Sequence, residues 1–217
     1  MDGFTMLKVT EIYHSIQGES TYVGLPCVFV RLTGCSLRCS WCDTTYAFHG
    51  GTYMTIDRIC ERVHSYETAL VEITGGEPLD KPEVLPLVER LCNDGYEVLI
   101  ETSGAIDITP IDDRAHVIMD MKCPKSSMTK YMYWENINAL KAKDEVKFVI
   151  ADREDYDWAV SVIEKHRLSG RCPILFSPVF GILEPSILSD WVLQSTLKVR
   201  IQLQLHKYIW DPRAEGV

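Results

Sequence analysis

No run of apolar residues in the 217-residue chain approaches the roughly 20 needed to cross a bilayer as a helix. The opening stretch Met1-Asp2-Gly3-Phe4-Thr5-Met6 has neither a basic flank nor a hydrophobic signal core, so no export signal is expected. Positive charge is in deficit: the formal net charge is −9, which argues against a general nucleic-acid binder with a basic face. A small anionic ligand held by a few local cations stays open. There is no linker, no low-complexity segment and no internal repeat. At this length the chain suits one core and is short for two, so residues 1–217 are expected to form a single domain. A disulfide framework is also missing. The eight cysteines are crowded into one loop or scattered singly through apolar segments, which fits a reducing, cytoplasmic setting. Cys60, Cys92, Cys123 and Cys172 read as small buried apolar residues.

What stands out is Gly34-Cys35-Ser36-Leu37-Arg38-Cys39-Ser40-Trp41-Cys42-Asp43-Thr44, inside a loop set at residues 33–45. Cys35, Cys39 and Cys42 can converge as soft thiolate ligands, which favour zinc, copper(I) or iron–sulfur clusters. Structural zinc takes four closed ligands, and no fourth cysteine lies at ligand spacing. A zinc knuckle would need Cys27, His49 or Cys60 to complete it. A 4Fe–4S cluster held by three cysteines leaves one iron open for another ligand.

The rest of the chain alternates strands and helices. Strands are expected at 7–14, 27–32, 69–74, 97–101, 116–121, 144–150, 173–176 and 199–205. Helices are expected after Thr55, over 82–94 up to Gly95, after Asp152, and over 187–193. This alternation implies parallel βαβ units. A complete eight-unit barrel takes about 250 residues, so the fold class expected is α/β, an incomplete TIM-type barrel of about six parallel strands with helices outside. Its site should gather at the C-terminal ends of the strands.

Thr74-Gly75-Gly76-Glu77-Pro78 follows one of those strands directly. Paired glycines let a ligand approach the backbone, and Glu77 can hold an ammonium group; the same residues also suit a plain strand-ending turn. Ser15-Ile16-Gln17-Gly18-Glu19-Ser20 is a loop that either binds a planar polar ligand or merely turns the chain. Arg31 interrupts an apolar strand and needs a partner, either a ligand carboxylate or an internal acid such as Glu19 or Asp43.

The CxxxCxxC spacing, the aromatic Trp41 before the last cysteine and the later Gly-Gly-Glu resemble the radical S-adenosylmethionine (SAM) superfamily. Within it, Ile16-Gln17-Gly18-Glu19, Cys42-Asp43-Thr44 and Gln204-Leu205-His206-Lys207-Tyr208 resemble the 7-carboxy-7-deazaguanine synthase family over nearly the whole chain. The resemblance implies conversion of 6-carboxy-5,6,7,8-tetrahydropterin to 7-carboxy-7-deazaguanine with loss of ammonia, on the way to queuosine and other deazapurines. It implies a 4Fe–4S cluster on Cys35, Cys39 and Cys42, SAM, and Mg²⁺ on Thr44. It also implies an external one-electron reductant of flavodoxin or ferredoxin type, and a homodimer. SAM would lie along Trp41, Cys42, Asp43, Gly76 and Glu77, then Asp120, Met121 and Lys122, where family members often have Ser-Pro-Lys. A further wall would be Ser177, Pro178, Val179 and Phe180, unlike the usual Gln-Pro-Met. The pterin would touch Ile16, Gln17, Gly18, Glu19, Arg31 and Thr74. His206 opens a short C-terminal extension, 206–217, and is either a substrate contact or a structural strand-end residue. Some relatives place a C-terminal carboxylate on the substrate near a proline matching Pro212; here the chain runs on to Val217. The competing enzyme reading is a glycyl-radical-enzyme activating enzyme, which would need an open surface for a protein substrate. A zinc-stabilised binding module is the non-enzymatic one.

Overall fold

The computed structural model describes residues 5–217. Residues 1–4, on which part of the export-signal expectation rests, lie outside the described residues. Among the described residues no helix is long and apolar enough to cross a membrane.

The chain opens with β1 (Met6–Ile16) and β2 (Pro26–Leu32), an antiparallel pair, and β3 (Thr52–Thr55) pairs antiparallel on the other side of β1. There follow α1 (Ile56–His64), β4 (Leu70–Gly75), α2 (Val84–Asn93), β5 (Glu97–Thr102), β6 (His116–Met121) and α3 (Asn136–Ala139). The last third holds β7 (Glu145–Ile150), α4 (Arg153–His166), β8 (Ile174–Pro178), α5 (Pro185–Leu193), β9 (Arg200–Ile201) and α6 (His206–Ile209). One sheet runs in the order β3-β1-β2-β4-β5-β6-β7-β8-β9, and every neighbour from β2 onward is parallel. The two end strands are not paired with each other, so the sheet is an open, partial barrel.

Local chemistry explains the helix ends. Thr55 Oγ1 accepts from Arg58 N at 3.3 Å, and Asp152 Oδ1 accepts from Asp155 N at 3.1 Å, capping α1 and α4. Gly95 ends the α2 segment at φ +90°, a conformation that glycine takes without strain.

Strand alternation builds two cores. Outward residues such as Val30, Ile73, Ile100 and Phe148 meet the helices through Ile59, Leu87 and Ile163. Inward residues Cys27, Phe29, Leu70, Leu99 and Ile118 form a second, smaller apolar layer inside the barrel, with Tyr13 and Tyr22 against it. Fully burying one such Leu or Ile contributes about 1.5–3 kcal/mol. The inner layer plugs the barrel: Glu72, Glu101, Asp120 and Lys147 sit above it towards the cavity, and the His116–Glu145 pair lies at the strand starts.

Two expectations need correction. The strand expected at 199–205 is only Arg200–Ile201. After Gln202, Leu205 N donates to Gly18 O at 2.9 Å, which draws the chain off the sheet and towards the loop after β1. The short β3 was not anticipated; with four residues and two exposed positions it has little apolar pattern to read.

Candidate active site

A cavity of about 410 Å³ opens at the C-terminal ends of the parallel strands. Small-molecule sites usually fall in the range of roughly 300–1,000 Å³.

One wall is the loop after β2. Gly34, at φ +101°, turns the chain, and its N–H donates to Ala47 O at 2.8 Å. Glu77 N donates back to Gly34 O at 3.0 Å, and Gly76 N to Leu32 O at 3.3 Å. A Cβ on Gly76 would lie 2.0 Å from Gly34 O and 2.8 Å from Cys35 Cβ, so only glycine lets the two loops meet. Ser36 N donates to Asp80 Oδ2 at 2.6 Å and Ser40 N to Ser126 O at 3.1 Å, which pins the loop to the segments after β4 and β6.

Cys35, Cys39 and Cys42 are free, half-buried and line this one cavity. Burial pushes the Cys35 thiol up to about 11 and raises the other two as well. They are therefore protonated until a metal displaces the proton. None of the three candidates for a zinc knuckle joins them. Cys27 is sealed in the inner apolar layer, Cys60 packs among the outer core, and His49 is exposed away from the cavity lining. Among the described residues no three His, Cys, Asp or Glu side chains converge on one ion-sized point. Cluster ligation asks each thiolate for a different iron, so three cysteines lining one cavity fit that donor set.

The SAM-assigned residues divide by strand alternation. Trp41, Asp43, Gly76, Asp120, Lys122, Ser177, Val179 and Phe180 line the cavity. Met121 and Pro178 do not: each alternates with an inward neighbour, and Met121 belongs to the outer core. Glu77 does not line it either. Its Oε1 accepts from Leu79 N at 3.0 Å and Thr102 Oγ1 at 2.8 Å, and its Oε2 from Ser103 N at 2.6 Å. Glu77 is thus a brace tying the glycine loop to the end of β5, with both oxygens engaged inside the protein. The cavity wall does hold polar atoms that lack protein partners: Asp120 Oδ1 and Trp41 Nε1 are buried and unpaired. Lys122 sits 5.6 Å from the Trp41 ring and pairs with Asp120 Oδ2 at 2.9 Å. An acceptor, a donor and a bare glycine backbone beside the cysteines form a cradle that suits a zwitterionic nucleoside.

All seven substrate-assigned residues, Ile16, Gln17, Gly18, Glu19, Arg31, Thr74 and His206, line the same cavity. Several are already engaged. Gln17 Nε2 donates to Glu72 Oε2 at 2.5 Å while its Oε1 accepts from Glu19 N at 3.0 Å. Arg31 Nε donates to Glu11 Oε1 at 2.7 Å and Nη2 to Tyr13 OH at 2.8 Å, with the Tyr13 and Tyr46 rings close to its guanidinium. Its internal partner is therefore Glu11, and neither Glu19 nor Asp43. Asp43 Oδ2 instead takes Lys207 Nζ at 2.6 Å and Gln204 Nε2 at 3.0 Å. Burial opposes ionisation of Asp43, but Lys207 holds its carboxyl far below the usual range. Thr44 Oγ1 donates to Asp43 Oδ1 at 3.1 Å. Gly18 lies under His206: a Cβ there would be 2.2 Å from the ring Nδ1. Burial lowers the His206 pKa, so the ring is mainly neutral near pH 7.

The floor of the cavity was missed. Glu72 on β4, Glu101 on β5, Asp120 on β6 and Lys147 on β7 all point inward, one layer above the apolar plug. Lys147 Nζ is 2.8 Å from Glu19 Oε2 and 3.7 Å from Asp120 Oδ2, and also bonds Glu101 Oε1. The signal was available: charged residues at alternate positions of otherwise apolar strands. The chain after Pro212 also stays at the site, and Pro212, Gly216 and Val217 line the cavity.

Comparison with known proteins agrees with this arrangement. The family model of the radical SAM superfamily matches residues 29–172. The chain is 48% identical over 214 residues to the 7-carboxy-7-deazaguanine synthase of Chlorobaculum tepidum, covering 97% of each chain. It is 45% identical over 226 residues to that of Koribacter versatilis, covering 97% of this chain and 100% of the relative. The crystal structure of QueE from Escherichia coli matches with a TM-score of 0.77 at 20% identity, over 94% of this chain and 96% of that one, a likeness of fold. With three cysteines on one wall of a partial barrel and near-full-length relatives at this identity, the chain belongs to the 7-carboxy-7-deazaguanine synthase family of the radical SAM superfamily.

Proposed function

We propose that this chain converts 6-carboxy-5,6,7,8-tetrahydropterin to 7-carboxy-7-deazaguanine with release of ammonia, on the route to queuosine and related deazapurines. One observation carries the reading beyond kinship. The three cysteines and the Ile16–Glu19, Arg31 and Thr74 set line one and the same cavity. A hydrogen-abstracting cofactor and a small polar heterocycle can therefore meet there. A glycyl-radical activating enzyme must admit a protein backbone, and a cavity of about 410 Å³ rimmed by Asp43, Lys207 and His206 suits a small molecule better.

Cys35, Cys39 and Cys42 would hold the 4Fe–4S cluster, and Gly76, Asp120, Lys122 and Trp41 would border SAM. When bound, the cluster and SAM together supply a carbon radical able to take a hydrogen atom from the substrate. The chain's own work is placement. Gly76 leaves its backbone bare to the ligand, and the Gln17–Glu19 loop lines the same cavity. Arg31 and Lys122 put positive charge beside a cavity that receives a carboxylate. Thr44 would offer its hydroxyl to Mg²⁺, a hard ion that needs few protein ligands and keeps several waters. The same reading includes a flavodoxin- or ferredoxin-type reductant, a homodimer, a reducing cytoplasmic setting and a single domain over 1–217. Eight unpaired cysteines and one continuous sheet support the last two.

The test is anaerobic turnover with the tetrahydropterin, SAM and a chemical reductant, followed by mass spectrometry. Formation of 7-carboxy-7-deazaguanine together with 5′-deoxyadenosine is expected. SAM cleavage without any deazapurine from this pterin would overturn the substrate assignment.

A further inference from the structure

Four carboxyls line the cavity around its floor, and in two of them both oxygens are engaged within the protein. Glu19 gives Oε2 to Lys147 at 2.8 Å and Oε1 to Gln204 Nε2 at 3.0 Å. Glu101 gives Oε1 to Lys147 and Oε2 to Thr74 Oγ1 at 3.4 Å. Asp120 gives Oδ2 to Lys122, and its unpaired Oδ1 is the acceptor already placed in the cysteine-side cradle. Glu72 differs. It is 5% exposed, and Gln17 Nε2 holds its Oε2 at 2.5 Å. Among the described residues nothing donates to its Oε1, which is not one of the sealed atoms and so meets the cavity. On β4 it lies between Leu70 of the apolar plug and Thr74 of the cavity wall, at the bottom of the space.

A buried carboxyl with one oxygen clamped and the other open is built to accept hydrogen bonds from something that enters the cavity. The amide of Gln17 fixes the plane of the carboxylate, and Oε2 keeps a second lone pair. Two parallel acceptors match two parallel N–H donors, the pattern on the 2-amino and N3–H edge of an aminopyrimidinone ring. We propose that Glu72 is a specificity-determining residue of this site, whose carboxylate reads that edge of the bound heterocycle. The proposal rests on the pterin assignment above and adds the orientation: the aminopyrimidinone end points down to β4, and the carboxylate-bearing carbon points up to the cysteine wall.

The surroundings add a measurable consequence. The ionisable neighbours of Glu72 are Glu101 on β5, Glu19 on the loop after β1, Lys147 on β7, Cys27 on β2 and Tyr13 on β1. Burial raises both the Cys27 thiol and the Tyr13 phenol, so each is neutral at pH 7. Lys147 is engaged with Glu19 and Glu101. Burial and then Glu101 push Glu72 up to about 8, so the empty site holds it protonated at neutral pH. Reading two N–H donors requires the carboxylate, so the proton must leave as the ring binds. Affinity should therefore rise with pH from 6.5 and level off above about 8.

The experiment measures binding of 6-carboxy-5,6,7,8-tetrahydropterin and of its 2-oxo analogue, anaerobically and without reductant, to the parent and to Glu72→Gln. Calorimetry in two buffers of different ionisation enthalpy counts the protons released. The parent should favour the 2-amino ring by roughly tenfold or more and release a proton on binding it at pH 7. Glu72→Gln presents one acceptor and one donor, which matches N3–H beside a 2-oxo group. Its preference should vanish or invert, and its proton release should disappear. A parent that binds the pterin without proton release and with pH-independent affinity overturns the proposal, with no need for the variant. The parent's 2-amino preference kept intact in Glu72→Gln also overturns it. A parent that binds neither ring would instead sink the pterin assignment itself.

Discussion

Replacing Lys147 with methionine should destabilise the empty protein severely and make its stability depend on pH. Lys147 is 4% exposed, and its ammonium faces Glu19 at 2.8 Å, Asp120 at 3.7 Å and Glu101. At an effective dielectric of about 20, the Glu19 attraction alone is about 6 kcal/mol before desolvation. Removing one partner of a buried ion pair typically costs about 3–5 kcal/mol, because the remaining charge stays buried. For a chain of this size that is about 6–20 °C in Tm. The sign of the pH effect follows from Glu19. Burial raises its pKa, but Lys147 and then His206 overcome that and bring it down to about 2 from an ordinary 4.5. In the parent, this contribution is full above pH 4.5 and is lost only as pH falls towards 2. In Lys147→Met, burial and mutual repulsion dominate, so the carboxyls titrate above their unfolded values. Their neutral forms then favour the fold at low pH, and stability falls as pH rises. Urea unfolding at pH 5.5 and pH 8 should show the larger loss at pH 8. A loss below about 1 kcal/mol, equal at both pH values, would refute the view that Lys147 neutralises the floor.

Single Cys35→Ala, Cys39→Ala or Cys42→Ala variants should keep the parent's circular dichroism and lose reductive SAM cleavage, because no neighbouring thiol lines the cavity to replace them; full cleavage after reconstitution would remove the cluster assignment. Gly76→Ala should cost about 1–3 kcal/mol in unfolding free energy and lower iron content, since its Cβ would sit 2.0 Å from Gly34 O; parent-like iron content would show that the two loops are not coupled. Arg31→Lys keeps the charge but loses the planar fork that serves Glu11 and Tyr13, so the substrate-free protein should lose about 1.5–3 kcal/mol. An unchanged melt with weakened pterin binding would assign the guanidinium to substrate alone. Thr44→Ala should weaken the response of turnover to Mg²⁺ and leave the iron–sulfur absorption intact; superimposable Mg²⁺ titrations would exclude the hydroxyl as a ligand.

The elements that were legible share one property: their signal is local. Thr55 and Asp152 announce helix starts because a side-chain oxygen caps a backbone N–H three residues on. The cysteine loop is legible because its spacing alone restricts the chemistry, and the strands because their apolar runs are short and bounded by turns. Where the reading went wrong, a distant contact had decided. The alternation of β6 and β8 turns the Met121 and Pro178 side chains away from the cavity and gives that face to Asp120, Ser177 and Val179. The end of the last strand is pulled away by Gly18, far earlier in the chain. Glu77 has the residue type for an ammonium contact, yet its oxygens are turned to Leu79, Thr102 and Ser103. Only the register of β4 beside β5 reveals that.

The floor residues lie between these cases, because the rule that singled out Arg31 applies equally to them. A charge inside a strand buried on both faces needs a partner. Glu72, Glu101, Asp120 and Lys147 meet that description on four successive strands of the sheet, each at the inward position. What the sequence cannot supply is their height in the barrel, which decides whether they pair with one another or face a ligand. That height is set by the strand registers, and the loop after β1 is fitted to it, its far end tied to the opposite mouth of the barrel. Thr21 N donates to Glu145 Oε1 at 3.0 Å, and Tyr22 OH to Glu97 Oε1 at 2.5 Å, at the starts of β7 and β5. The same loop sends Gln17 to Glu72 and Glu19 to Lys147. Because Glu145 and Lys147 are two residues apart on β7, they share its inward face, and one strand anchors the loop at both levels. A shift in that anchor must therefore move the Gln17–Glu19 wall and the floor carboxyls together.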